Sequence, residues 1–181
     1  MRNILNVASD GSCLKNPGGA IGWAWADSKG RWMANGAVSG TNQSAELLGL
    51  ASIFLAFPKT DLFIELDSQY TLNIADNWMH GWARAGWTRK GAEIKNLEIV
   101  KVIYNLSATR RKNGLYTEFK WVKGHGKNGF HELNDRADIK AGESARKARS
   151  GENPYLDSGG GLSSPRQEKL LNHLNMGQLI F

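Results

Sequence analysis

Residues 42–68, NQSAELLGLASIFLAFPKTDLFIELDS, carry the reading of the fold. Asn42 is expected to cap a helix through Glu46, Leu47, Leu48 and Leu50 to Phe57, because Asn favours the N-cap and Pro58 cannot continue the hydrogen-bond ladder. Leu62 to Leu66 is then an apolar run of strand length, and Asp67-Ser68 opens a second helix, both being capping residue types. A helix running straight into an apolar strand is a crossover, and crossovers join parallel strands.

Upstream, Ile4 to Ser9 reads as a strand ending in Asp10-Gly11-Ser12, followed by a tight turn at Asn16-Pro17-Gly18-Gly19. Ala20 to Ala26 and Arg31 to Val38 read as two more strands, joined by the hairpin turn Asp27-Ser28-Lys29-Gly30. Downstream, Met79 to Lys90 is an irregular segment dense in Trp, Gly and Arg. An amphipathic helix follows from about Glu93 to Arg111, with Ile94, Leu97, Val100, Ile103 and Leu106 near helical spacing. Tyr116 to Val122 alternates like a strand, and Glu132 to Arg149 reads as a final helix. The expected fold class is therefore α/β, a five-stranded mixed sheet of three antiparallel strands and then two parallel ones, flanked by helices. Residues 1–149 form one domain on this reading. Residues 150–181 are a Gly/Ser-rich linker and tail, with a short helix expected over Pro165 to Asn175.

With 181 residues, 41% apolar and 22% charged, the composition is that of an ordinary globular chain. Cys13 is the single cysteine, which excludes a disulfide framework and a multi-cysteine zinc site and fits a small hydrophobe in a reducing compartment. The first ten residues hold no apolar run of signal-peptide kind, and no stretch is apolar enough to span a membrane. The expectation is a cytoplasmic protein with no membrane contact. The net charge is +6, unevenly spread. Residues 1–75 carry 5 basic and 6 acidic side chains, residues 76–150 carry 16 and 8, and residues 151–181 carry 2 and 3. The positive excess sits in the middle segment, and an excess of that kind points to a polyanionic partner.

Four acids stand out by position. Asp10 ends the first strand and Asp67 the fourth. Glu46 lies one turn into the first helix, and Asp138 lies among Ala137, Ile139 and Ala141 in the last. Acids at the edge of apolar surroundings are costly to bury unless paired or metal-bound. Ligands of open α/β sheets bind beyond the carboxyl ends of strands, where Asp10 and Asp67 would converge. Each alone reads as a cap or surface acid; the set of four is what points to chemistry. Oxygen-only donors suit Mg²⁺ or Mn²⁺, and paired ions of this type drive in-line displacement at phosphorus.

Asp10-Gly-Ser-Cys-Leu-Lys-Asn-Pro-Gly-Gly, Thr41-Asn-Gln-Ser-Ala-Glu46-Leu, Asp67-Ser-Gln-Tyr, Trp121-Val-Lys-Gly-His125-Gly and Asn134-Asp-Arg-Ala-Asp138 together resemble the motif blocks of the type 1, bacterial-type ribonucleases H, in order and near their spacing, over about residues 3–145. The resemblance implies a ribonuclease H-like fold and an endoribonuclease that hydrolyses the RNA strand of RNA–DNA hybrids by two-metal-ion catalysis, leaving 5′-phosphate and 3′-hydroxyl ends. It implies two Mg²⁺ ions per site, with Mn²⁺ as a substitute. Asp10 would bridge both ions, Asp138 would complete the site of the ion that activates water, and Glu46 and Asp67 would hold the ion on the leaving-group side. His125, on the Gly-rich loop from Gly124 to Gly129, would assist proton transfer or product release; His80, His131 and His173 read as surface residues.

The same resemblance places Asn16, Asn42, Gln43 and Gln69 against the RNA strand, where amides both donate to and accept from a 2′-hydroxyl. Thr41 and Asn96 match a pocket for a DNA phosphate. Residues 78–92 resemble the family's basic protrusion, with Trp78 and Trp82 on the DNA sugars and Trp87, Arg89 and Lys90 beside them. Its cations are sparse, which implies modest, steeply salt-dependent hybrid affinity. Trp23, Trp25, Trp32 and Trp121 are read as core. A monomer is expected. For the apolar end Gln178-Leu179-Ile180-Phe181, packing on the body and docking to a replication protein such as a sliding clamp both stay open. Two other functions compete: a DNA-directed nuclease or junction resolvase of the same superfold, against which the block around Asn42 argues, and a non-catalytic hybrid-binding module, which needs a missing carboxylate where none is missing.

Overall fold

The computed structural model describes residues 2–124, 131–159, 162–163 and 165. Strands β1 (Ile4–Cys13), β2 (Ile21–Asp27) and β3 (Trp32–Ala37) precede helix α1 (Asn42–Ala56) and strand β4 (Asp61–Leu66). Helix α2 (Gln69–Asn73), a π-helical turn (Ile74–Trp78) and α3 (Met79–Arg84) follow without a break. Then come α4 (Leu97–Lys112), β5 (Thr117–Trp121), α5 (Glu132–Ser150) and β6 (Leu156–Asp157). The sheet order is β5-β4-β1-β2-β3-β6. β1–β2, β2–β3 and β3–β6 pair antiparallel, and β1–β4 and β4–β5 pair parallel.

The mixed α/β sheet is as expected, but it has six strands and not five. The sixth lies inside the stretch read as a linker. Leu156 pairs with Ala34 and Asp157 with Met33. Trp32 N–H donates to Ser158 Oγ at 2.8 Å, and Ser144 Oγ donates to the Pro154 carbonyl at 2.8 Å. The Gly/Ser composition hides three apolar anchors: Tyr155 and Leu156 pack on the body, and Leu162 is buried.

Several local expectations shift for physical reasons. Thr41, and not Asn42, caps α1: its Oγ1 accepts from Ser44 N–H while Ser44 Oγ accepts from Thr41 N–H, each at 3.0 Å, a reciprocal capping box. α4 begins at Leu97 and not near Glu93, because Asn96 takes a left-handed conformation at φ 57° that no helix interior tolerates. Met79 to Arg84, expected to be irregular, is helical. Trp23 and Trp25 are buried as expected. Trp32 is only half-buried, under the Lys140 ammonium at 4.1 Å from the ring centre, and Trp121 is 44% exposed.

Strand pleating splits the core in two. Ile21, Trp23 and Trp25 of β2 join the large cluster with α1 and α4, whereas Ala24 joins Ala34 and Ala141 on the α5 side. Small residues let α5 lie close: a Cβ on Gly22 would overlap the Ala141 carbonyl. Among the described residues no helix is long and apolar enough to cross a membrane.

Candidate active site

Asp10 stands opposite Ala24 across the β1–β2 pairing. Residues directly paired across strands project to one face, so Asp10 points to the α5 side with Ala24. On α5, Asp138 lies three residues before Ala141 and therefore on the same helix face. Asp67 follows Leu66, which pairs with Ser9, so it emerges beside Asp10 where the parallel strands end. Glu46 arrives from the opposite layer. A Cβ on Gly11 would overlap the Glu46 backbone nitrogen, so only glycine there lets α1 bring Glu46 up to β1.

The structure thus brings together the four acids that the sequence singles out. Asp10, Glu46, Asp67 and Asp138 line one open cleft, with Asn42, Ser68 and Cys13 on its walls. Oxygens of Asp10, Glu46 and Asp67 lie within 4.8 Å of one another. Asp10 is 4% exposed and Glu46 6%, while Asp67 and Asp138 are half-buried. Gly11 N–H donates to Asp10 Oδ1 at 2.6 Å.

Packing acids this tightly disfavours their charges. Burial, then the charges of Asp67 and Asp138, pushes the Asp10 carboxyl up to about 8. Burial, then Asp10 and Asp67, holds Glu46 well above the ordinary carboxylate range. The cluster fits hard divalent cations, since all its donors are oxygens and a bound cation reverses the repulsion that raises both acids.

Two further groups of expected residues can be located. Asn16 Oδ1 accepts from Asn42 N–H at 3.1 Å, which ties the β1–β2 loop to the start of α1. Gln69 is exposed at the start of α2. A second groove is lined by Gln43, Tyr70, Trp78, Trp82 and Arg89. Trp78 is 41% exposed there, and its ring lies 6.0 Å from that of Trp82. Trp87 faces inward, edge-on to Tyr104 at 5.3 Å, and Lys90 is exposed. Asn96 lies behind the groove, its Nδ2 donating to Tyr70 Oη at 3.2 Å. Tyr70 was not singled out from sequence, although it stands in the Asp67-Ser-Gln-Tyr block. His125, the short helix expected from Pro165 to Asn175 and the apolar end Gln178 to Phe181 lie outside the described residues, apart from Pro165 itself.

Comparisons with known proteins bear on the family and the fold. A family model described as RNase H matches residues 2–146. A ribonuclease H of Xanthomonas campestris pv. campestris (strain 8004) is 34% identical over 152 residues, covering 81% of this chain and 95% of the relative. A ribonuclease H of Tropheryma whipplei (strain Twist) is 33% identical over 146 residues, covering 79% and 85%. Among solved structures, the chain is similar to LC9-RNase H1, described as a type 1 RNase H with the type 2 active-site motif. The TM-score is 0.69 at 24% identity, over 100% of this chain and 86% of that one, a likeness of fold.

Proposed function

The chain belongs to the ribonuclease H family of nucleases, and from that premise we propose that it hydrolyses the RNA strand of RNA–DNA hybrids, leaving 5′-phosphate and 3′-hydroxyl ends. The observation that carries the reading is the three-carboxylate cluster, with oxygens within 4.8 Å of one another, in a cleft that Asp138 completes. Two Mg²⁺ ions, or Mn²⁺ in their place, would supply there Lewis-acid activation of water and charge neutralisation at the leaving 3′-oxygen. Asp10, Glu46, Asp67 and Asp138 would hold the ions, Asp10 shared between them, Asp138 toward the attacking water, and Glu46 and Asp67 toward the leaving group. His125 moves a proton or helps release product.

The chain's own groups do the rest. Asn16, Asn42, Gln43 and Gln69 read 2′-hydroxyls of the RNA strand near the cleft. Thr41 and Asn96 grip a phosphate of the DNA strand. Trp78 and Trp82 offer flat apolar area to deoxyriboses, and Arg89 and Lys90 supply charge to the backbone, while Trp87 packs on Tyr104 instead. Residues 1–149 carry the catalytic groups, with β6 added to the same sheet after them, and the protein acts as a monomer.

The test is cleavage of a labelled hybrid with Mg²⁺ beside duplex DNA, duplex RNA and the Asp10→Asn variant. Cleavage of the hybrid alone, abolished by Asp10→Asn, is expected. Equal cutting of duplex DNA, or an active Asp10→Asn protein, overturns the reading.

A further inference from the structure

We propose that Trp121 is a positioning residue for Asp67, and that its indole N–H together with the side-chain-free Gly124 sets where the Asp67 carboxylate stands. The inference rests on the metal-dependent reading of the cleft and concerns what holds one of its acids in place.

Asp67 lies where regular structure lets go. The parallel pairing of β4 with β5 ends at Leu66 and Trp121, and α2 does not begin until Gln69. Asp67 thus sits past the sheet ladder, one residue before the cap of the helix. On the far side, Ser68 is held by capping α2, its Oγ accepting from Thr71 N–H at 3.2 Å. On the near side, Val122 N–H donates to the Leu66 carbonyl at 2.9 Å, one residue short of the acid. A bond from a side chain reaches Asp67 itself: Trp121 Nε1–H donates to the Asp67 carbonyl at 3.0 Å.

Burial does not account for the Trp121 ring. An indole kept for hydrophobic reasons is buried, as Trp23 and Trp25 are, whereas Trp121 leaves 44% of its surface in water. What it contributes is a donor on a rigid arm, anchored in the last residue of β5 and reaching the backbone of an acid just past the end of β4. Three residues on, Gly124 completes the hold. A Cβ there would overlap Asp67 Oδ2, so the carboxylate rests against bare backbone. One short segment therefore bears on Asp67 twice: Trp121 bonds its carbonyl, and the bare backbone of Gly124 leaves its carboxylate the room it occupies. Residues that orient a ligating carboxylate in this way act on metal affinity and turnover while touching neither metal nor substrate.

Trp121→Phe keeps the ring and removes the donor; Gly124→Ala keeps the indole and pushes a methyl group into the carboxylate. Mn²⁺ binding to each protein without substrate, followed by water-proton relaxation, is compared with wild type, alongside kcat and KM on a hybrid and the melting temperature. Both variants are expected to bind Mn²⁺ about tenfold more weakly and to lose kcat in proportion, with KM little changed. Unchanged Mn²⁺ affinity and kcat, or an effect confined to KM or melting temperature, overturns the proposal. If Trp121→Phe does not fold, Gly124→Ala decides by the same criteria. A wild-type protein that cuts no hybrid sinks the functional reading, while the Mn²⁺ comparison still decides whether Trp121 positions Asp67.

Discussion

Gly11 of β1 lies directly against the backbone nitrogen of Glu46 in α1, with no room between them for a side chain. That contact sets how near the helix can bring its acid to Asp10. In Gly11→Ala the new methyl group meets backbone, which cannot rotate away. The variant is expected to lose about 1–3 kcal/mol of stability, the usual cost of overpacking. It should also lose more activity than stability, because α1 must back off the strand carrying Asp10. Denaturant melts beside hybrid-cleavage rates check this; a stable variant with full activity contradicts it.

Stability without metal should fall as pH rises. Asp10 is lifted from 3.8 to about 8 in the folded protein, and Glu46 moves in the same direction. A folded pKa above the unfolded one means that the native state binds the proton more tightly. The associated stability is fully present below about pH 4 and is lost as pH climbs through about 8. In EDTA the melting temperature should therefore decline over that window, and saturating Mg²⁺ should flatten the decline. Asp10→Asn should raise metal-free stability at pH 8 by roughly 1–3 kcal/mol while removing activity, since it replaces a buried charge. A melting temperature that rises with pH in EDTA contradicts the reading.

The carboxylate site was legible in sequence because its logic is one of position: acids at strand ends and one helical turn from known caps converge once the sheet order is known. What was not legible depends on tertiary surroundings. Alternation along Tyr116 to Val122 puts Phe119 and Trp121 on one face, and Phe119 does pack near Phe54. Trp121, however, is the last residue of an edge strand, where the sheet opens onto the cleft, so the same pattern yields an exposed ring. Asn96 begins its helix late through a backbone angle that no composition announces, and β6 is too short and too rich in turn residues to register as a strand.

Arg89 lines the groove with Trp78 and Trp82 but lies away from the four acids. Removing it should weaken substrate holding and leave chemistry alone. Arg89→Ala is expected to raise KM for hybrid several-fold with kcat unchanged. It should also reduce the slope of log affinity against log salt by about 1, the signature of one lost phosphate contact. Binding measured at three salt concentrations decides it; an unchanged slope removes Arg89 from the interface.

The stretch after α5 should behave as part of the body. A linker contributes nothing to stability, but this one adds a strand to the edge of β3 and hydrogen bonds that include Trp32 N–H to Ser158, Ser158 N–H to the Trp32 carbonyl and Ser144 to Pro154. Tyr155 packs on the main core, and its hydroxyl lies against both the Asp157 carboxylate and the Leu162 carbonyl, donating to one of them. Partial burial of one ring and one leucine, with bonds worth about 1 kcal/mol each, suggests roughly 2–3 kcal/mol in all. For a chain of this size that is a fall in melting temperature of about 5–10 °C. Ending the chain after Asn153 should produce it, and Tyr155→Ala should produce a good part of it. Hybrid cleavage at 20 °C should stay near wild type in both, because none of these contacts reaches the cleft. An unchanged melting temperature in the shortened chain would return residues 150–159 to the status of a linker.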